Sequence, residues 1–171
     1  RRQLLIAAQP CGTAARYEQG NHSQKYAERN PKRAAQERNL LQRIWPGKRA
    51  ERVLDLPCGT GRLLPFLSDR GHIVAQGDGA FAMLAQTQER NMTGELLIQA
   101  NALQIPFADR SVDGTVMFRF LHHLPPEAAK AAIREACRVS GRFVVFSFFH
   151  PCSLPPLPRR TQGVGQLRVA R

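Results

Sequence analysis

The rhythm of apolar and polar positions changes at Val53. Before it, residues 20–45 (GNHSQKYAERNPKRAAQERNLLQRIW) follow helical spacing, apart from a break at Asn30-Pro31. After it, short apolar runs alternate with helical patterns. RVLDLP reads as a buried strand closed by turn residues. GRLLPFLSDRG then reads as a helix with Leu63, Leu64 and Leu67 on one face and Gly71 as its stop. Pro65 fits only if that helix has just begun. HIVAQGD is a second strand, followed by a helix over GAFAMLAQTQERN with Phe81, Leu84 and Ala85 at helical spacing. ELLIQAN is a third strand and VDGTVMFRF a fourth, after a loop holding Pro106, Asp109 and Arg110. PPEAAKAAIREACRVSG is the clearest helix. Pro126 and Glu127 suit its first turn, and Ala129, Ala132, Ile133 and Ala136 form its inner stripe. Arg138 suits its last turn and Gly141 ends it. RFVVFSFF is a fifth strand.

Strands alternating with helices predict an α/β fold with a mostly parallel sheet covered on both faces. Right-handed crossovers make it a doubly wound, Rossmann-like layout. Three parts are expected: an N-terminal helical lid or extension over 1–52, a core over 53–150, and a partial C-terminal segment over 151–171. The last part is rich in Pro, Gly and Arg, with no long periodic segment and no internal repeat.

Composition narrows the classes. The 171 residues suit one domain with a sizeable core. No apolar run approaches the roughly 20 residues of a membrane span. The opening RRQLLIAAQPCGT is too weak for a signal peptide, and the lack of a starting Met reads as a trimmed start. Cys11, Cys58, Cys137 and Cys152 form no Cys-x-x-Cys pair, which argues against zinc and redox motifs. A reducing, cytoplasmic compartment is the simplest expectation. The net charge of +12 is uneven. Residues 1–52 hold twelve Lys/Arg against four Glu, residues 53–158 balance, and the last thirteen add four arginines. Such flanks can attract nucleic acid, anionic lipid or an acidic substrate, or can be plain solvated surface.

The chemistry concentrates in VLDLPCGTGRLLPFLSDRG. A first strand ending at Asp55 delivers its carboxylate to the carboxyl edge of the sheet. Gly59 and Gly61 let the backbone turn sharply and let a ligand approach it closely. The exposed N–H groups and the helix start beyond favour anionic or polar ligand groups. Asp78 ends the second strand, 17 residues after Gly61, where an acid can accept hydrogen bonds from both hydroxyls of a ribose. Capping or turn formation is the plainer reading of either acid. A dinucleotide fingerprint would need a glycine where Leu64 stands, and no phosphate-binding Lys follows as a P-loop requires. A nucleoside cofactor with a charged amino-acid end, such as S-adenosylmethionine, fits better.

VLDLPCGTGRL resembles motif I of class I S-adenosylmethionine-dependent methyltransferases, written as an acid followed by G-x-G-x-G. GDGAFAML is similar to the family's D-x-S-x-x-M-L, matching Asp78, Met83 and Leu84. NALQIPFADRSVDGTVMFRFLHHL resembles its D-A-x-x-L-P-F-x-D-x-S-F-D segment with the following strand and Leu-His-His. The resemblance spans about residues 53–149. It implies that Asp55, Leu56, Pro57, Cys58, Gly59 and Gly61 surround the methionine end of S-adenosyl-L-methionine, whose product is S-adenosyl-L-homocysteine. It implies Asp78, with Gly79, at the ribose hydroxyls, Asn101, Ala102 and Leu103 along the adenine, and Arg119 beside the methionine portion or the acceptor. Tyr17 or Tyr26 would close over the cofactor from an N-terminal lid. Pro57, Asn101 and Ala80 depart from the motif's usual Gly, Asp and Ser. The family sheet ends with two further strands, the last antiparallel. Only TQGVGQLRVAR remains to supply them, so strands six and seven are expected to be missing or incomplete.

The resemblance therefore implies methyl transfer by in-line displacement to a small-molecule or lipid-linked acceptor. The sulfonium already activates the methyl, so a general base is needed only if the acceptor keeps a proton. His122, His123 and His150 are the candidates by type, and packing or capping is the plainer reading of each. Three alternatives stand beside this one. The basic flanks suggest an RNA or protein methyltransferase, although FRFLHHLPP lacks the Asn/Asp-Pro-Pro-Tyr/Phe signature of amino-directed base methylation. The short C-terminus suggests a non-catalytic binding module, and a nicotinamide enzyme is a distant fourth reading.

Overall fold

The computed structural model describes residues 4–6, 31–46, 51–149 and 162–169. Its seven strands are β1 (Leu4–Ile6), β2 (Arg52–Asp55), β3 (Ile73–Asp78), β4 (Leu96–Gln99), β5 (Val112–Met117), β6 (Ser140–Phe149) and β7 (Gln162–Arg168). They form one sheet in the order β1-β4-β3-β2-β5-β6-β7. All neighbours pair in parallel except β6 and β7. The helices are α1 (Pro31–Ile44), α2 (Leu64–Ser68), α3 (Phe81–Glu89) and α4 (Pro126–Val139), with a 3-10 turn at Leu121–His123.

The central strands bury residues on both faces because both faces of the sheet are covered. Neighbouring residues on one strand enter different cores. Leu54, Ile98, Met117 and Val144 pack on one face against Ala132 and Ala136 of α4. Val53, Val74, Val116 and Val145 pack on the other with Leu41 of α1 and with Leu63, Phe66 and Leu67 around α2. The sheet is therefore the middle layer of three, as the doubly wound expectation requires.

The structure departs from the sequence expectations in four places. α2 starts only at Leu64, with Pro65 in its first turn, so residues 61–63 are turn and not helix. α3 buries Met83, Leu84 and Thr87 while Phe81 is 42% exposed, so the stripe lies one step round from the expected one. Thr87 is admitted because its hydroxyl has two carbonyls to bond, Met83 O and Gly59 O, each at 3.0 Å. Gly141 does not stop α4. The chain is already extended at Ser140, whose Oγ lies 2.7 Å from Thr115 Oγ1.

The fourth difference concerns the sheet edges. The C-terminal stretch supplies a complete antiparallel strand, β7, paired with β6 from Phe143↔Arg168 to Phe149↔Gln162. At the opposite edge, the apolar residues 4–6 form β1 beside β4. Residues 20–30 of the proposed N-terminal helix, with Tyr17 and Tyr26, and His150 and Cys152 lie outside the described residues.

Candidate functional site

β2 is the centre of the winding. From it the chain passes outward through β3 to β4, then returns to β5 on the other side of β2. The loops leaving β2 and β5 part there, which leaves a crevice at the carboxyl edge of the sheet. A cleft of about 800 Å³ of empty space, counted to its open mouth, occupies it. Loops from four strand ends line it, at residues 56–59, 78–79, 100–103 and 118–120. All the residues predicted for the cofactor face it except Asp55 and Gly61.

Asp78 is the fixed point of this site. Its Oδ2 accepts the Gly59 N–H at 2.9 Å and its Oδ1 accepts the Ala80 N–H at 2.9 Å. One carboxylate thus ties the loop after β2 to the start of α3 and still lines the cleft. The loop is pinned elsewhere too. Cys58 N–H donates to Gly77 O at 2.7 Å, and Thr87 Oγ1 donates to Gly59 O. The expectation of exposed loop N–H groups is therefore corrected for Cys58 and Gly59, whose donors are spent holding the loop in shape. Gly59 has φ +59, a conformation that a Cβ would strain.

Asp55 and Gly61 stand elsewhere than expected. Asp55 is 1% exposed and lies behind the cleft wall, not in it. Among the described residues, neither of its carboxyl oxygens has a hydrogen-bond partner. Burial pushes its pKa up to about 7; the Arg62 guanidinium opposes that rise and the Asp78 carboxylate adds to it. Gly61 faces α3. With φ +74, a Cβ there would meet Met92 O at 2.5 Å and Met92 Cβ at 2.8 Å, so its lack of a side chain serves close packing and not ligand approach. Burial, with Asp78 and Asp55 next in strength, also pushes the Cys58 thiol well above its ordinary range. Cys58 is therefore kept as a thiol, a small apolar wall residue.

The opposite end of the cleft is cationic. Arg119 follows β5 with φ +58, and its N–H donates to Ser147 Oγ at 2.6 Å. Its Nη1 bonds Glu37 Oε1 at 3.0 Å, and Arg62 Nη1 meets the other oxygen of the same carboxylate at 3.0 Å. The Arg119 Nε is buried, with no hydrogen-bond partner among the described residues. Phe118, Phe120, Met83 and His123 also line the cleft.

The residues 53–141 match a family model described as a methyltransferase domain. The chain belongs to that family. This methyltransferase-domain chain is 33% identical over 114 residues to a demethylmenaquinone methyltransferase of Thermobifida fusca, covering 64% of this chain and 48% of that protein. It spans about half the length of the curated relatives it matches. Among solved structures, a Pyrococcus horikoshii protein superposes with TM-score 0.64 at 22% identity, over 77% of this chain and 60% of that one. Magnesium protoporphyrin IX methyltransferase from Synechocystis, solved with bound S-adenosylmethionine, superposes with TM-score 0.59 at 20% identity, over 78% and 65%. At these identities the structural likenesses speak for the fold.

Two departures from the methyltransferase motifs can now be read physically. Asn101 Oδ1 accepts the Leu103 N–H at 2.9 Å, so its side chain shapes the turn that carries Ala102 and Leu103 into the cleft. Ala80, in place of Ser, starts α3 with no side-chain cap, and Asp78 takes its N–H instead. Of the histidines, His123 lines the cleft and His122 does not. Their rings lie 3.9 Å apart. Sequence reasoning missed Glu37, Arg62, Met83, Ala100, Phe118 and Phe120. Met83 was within reach as part of the family-like GDGAFAML. The Glu37 pairings join residues 25 and 82 positions apart, and no local pattern announces them.

Proposed function

We propose that this chain is the cofactor-binding part of an S-adenosylmethionine-dependent methyltransferase that acts on a small-molecule or lipid-linked acceptor. The observation that carries this reading is the cleft at the sheet's switch point, with Asp78 fixed at its centre. The fit to the cofactor rests on the chain's own groups. Asp78 lines the cleft, and a carboxylate there can accept from ribose hydroxyls. Ala102 and Leu103 present a turn edge to the adenine, with Asn101 holding that turn. The Arg119 guanidinium lines the cleft and has an Nε with no partner among the described residues, so it suits the carboxylate of an amino-acid end.

When bound, S-adenosylmethionine supplies an electrophilic methyl on a sulfonium. The protein's part is to hold the acceptor atom in line, roughly 3–3.5 Å from the carbon, and to keep water away. Phe118, Phe120, Met83 and Leu103 provide an apolar wall for that purpose. His123 is the histidine placed to take a proton where the acceptor carries one. The relatives' names make a demethylmenaquinone-like ring the first acceptor to assay.

The test is incubation with methyl-labelled S-adenosylmethionine and a cell extract separated into low-molecular-weight, lipid, RNA and protein fractions. Label is expected in the lipid or low-molecular-weight fraction. Label confined to RNA or protein would reject the acceptor class and favour a role for the basic flanks. Cofactor binding without transfer to any fraction would favour a binding module.

A further inference from the structure

We propose that Glu37, on α1, is a positioning residue for the cofactor: it aims Arg119 so that its guanidinium receives the carboxylate at the cofactor's amino-acid end. This rests on the cofactor reading above and adds α1 to the site. Three observations carry it. Glu37 is 5% exposed, although it sits in a helix whose other charges are all basic (PKRAAQERNLLQRI). A buried lone acid in such a helix needs a compensating charge, and it has two, one guanidinium on each oxygen. Both arginines line the cleft, one from the loop after β2 and one from the end of β5. The bridge therefore spans the cleft's two sides.

The second observation is what the bridge leaves open. Arg119 has a side chain 8% exposed, its backbone is held in the left-handed region, and Nη1 is committed to Glu37. The guanidinium plane is thus held, while Nε has no hydrogen-bond partner among the described residues. A guanidinium held at the cleft wall favours an anionic oxygen arriving there, because charge-assisted hydrogen bonds are the stronger ones. The third is charge balance. Two guanidinium groups and one carboxylate leave the cluster at +1, enough for one incoming carboxylate. Without Glu37, the same two cations would repel each other and turn toward water.

α1 is independently seated. Leu41 is fully buried, Ile44 and Trp45 pack on the same core, and Arg38 bonds Asp69 Oδ2 at 2.9 Å. Removing the Glu37 charge is thus separable from undocking the helix. Trp45, the chain's single tryptophan, packs edge-on to Phe66 and Phe143 and reports that docking.

The test is calorimetric titration of the chain with two ligands. S-Adenosylhomocysteine carries the amino-acid end, and 5′-methylthioadenosine lacks it. Glu37→Gln should weaken S-adenosylhomocysteine about tenfold and change methylthioadenosine less than twofold, with Trp45 emission unchanged. Arg119→Met should weaken S-adenosylhomocysteine at least as much. Adding E37Q to R119M should then produce no further loss, because the acid acts through the arginine. Glu37→Asp keeps the charge on a shorter arm and should fall between. If E37Q weakens both ligands alike, or its loss adds in full to that of R119M, Glu37 is only structural and the proposal fails. If E37Q weakens neither, it fails too. If R119M does not fold, Arg119→Lys is read in its place: it keeps a charge without the guanidinium fork and should lose the same discrimination between ligands. If the wild-type chain binds neither ligand, the cofactor reading itself is wrong. If it binds both and only the variants disagree, the failure belongs to Glu37 alone.

Discussion

Asp55→Asn makes the buried acid behind the cleft measurable. Asp55 is 1% exposed, and neither carboxyl oxygen has a partner among the described residues. Burial lifts its pKa from 3.8 to about 7. A carboxyl with a raised folded-state pKa holds its proton more tightly when folded. Its stabilising contribution is thus fully present below about pH 4 and is lost as pH rises through about 7. At about 1.4 kcal/mol per pKa unit the full effect is about 4 kcal/mol, of which about 3 kcal/mol falls between about pH 5 and pH 8. Asparagine keeps the shape and cannot ionise. Urea unfolding of wild type and Asp55→Asn across that range isolates the group, since every other titration is common to both chains. The variant should gain on wild type by about 3 kcal/mol from about pH 5 to pH 8, most of it between about pH 5 and pH 7. A stability difference that stays constant with pH would refute the claim that a partnerless, buried carboxyl sits behind the wall.

Other substitutions probe the loop and the cleft. Asp78→Asn leaves one acceptor oxygen and turns an amide toward one of the two N–H groups that Asp78 now bonds, so it should lower stability by about 1–3 kcal/mol and weaken S-adenosylhomocysteine at least tenfold by calorimetry. Gly61→Ala should destabilise by more than Gly71→Ala in thermal melts. Both glycines have positive φ, but a Cβ at Gly71 meets nothing within 4 Å while one at Gly61 meets Met92 O at 2.5 Å. Strain alone is worth about 1–2 kcal/mol, so equal losses would show that the Met92 contact relaxes freely. Leu41→Ala, at a fully buried position of α1, should cost about 2–5 kcal/mol in urea unfolding. A loss under about 1 kcal/mol would mean that α1 is not seated on that core.

The sheet was legible because a strand buried on both faces is an apolar run with an abrupt polar end. Val53 to Asp55 shows this directly, and of the two acids at strand tips Asp78 lines the cleft while Asp55 does not. What stayed hidden has physical causes. β1 has three residues, too few to carry an alternation. Phe81 was expected inward by spacing alone, but Thr87 could replace it in the core once Gly59 O and Met83 O satisfied its hydroxyl. Asp55 sits at a strand tip, as read, yet the loop folds over it, and a sequence does not tell a carboxylate in a cleft from one behind its wall. Glu37 reads in sequence as one charge on a solvated face. Only the fold brings Arg62 and Arg119 to it.

The central claim is that the cleft between the ends of β2, β3, β4 and β5 holds an adenosyl amino acid. A crystal structure of the chain grown with S-adenosylhomocysteine tests it most directly. The account predicts the adenine beside Ala102 and Leu103, the ribose hydroxyls on the Asp78 carboxylate, and the amino-acid end pointing toward Arg119. Well-ordered ligand at another surface, with the Asp78 carboxylate engaged only by Gly59 and Ala80, would contradict it.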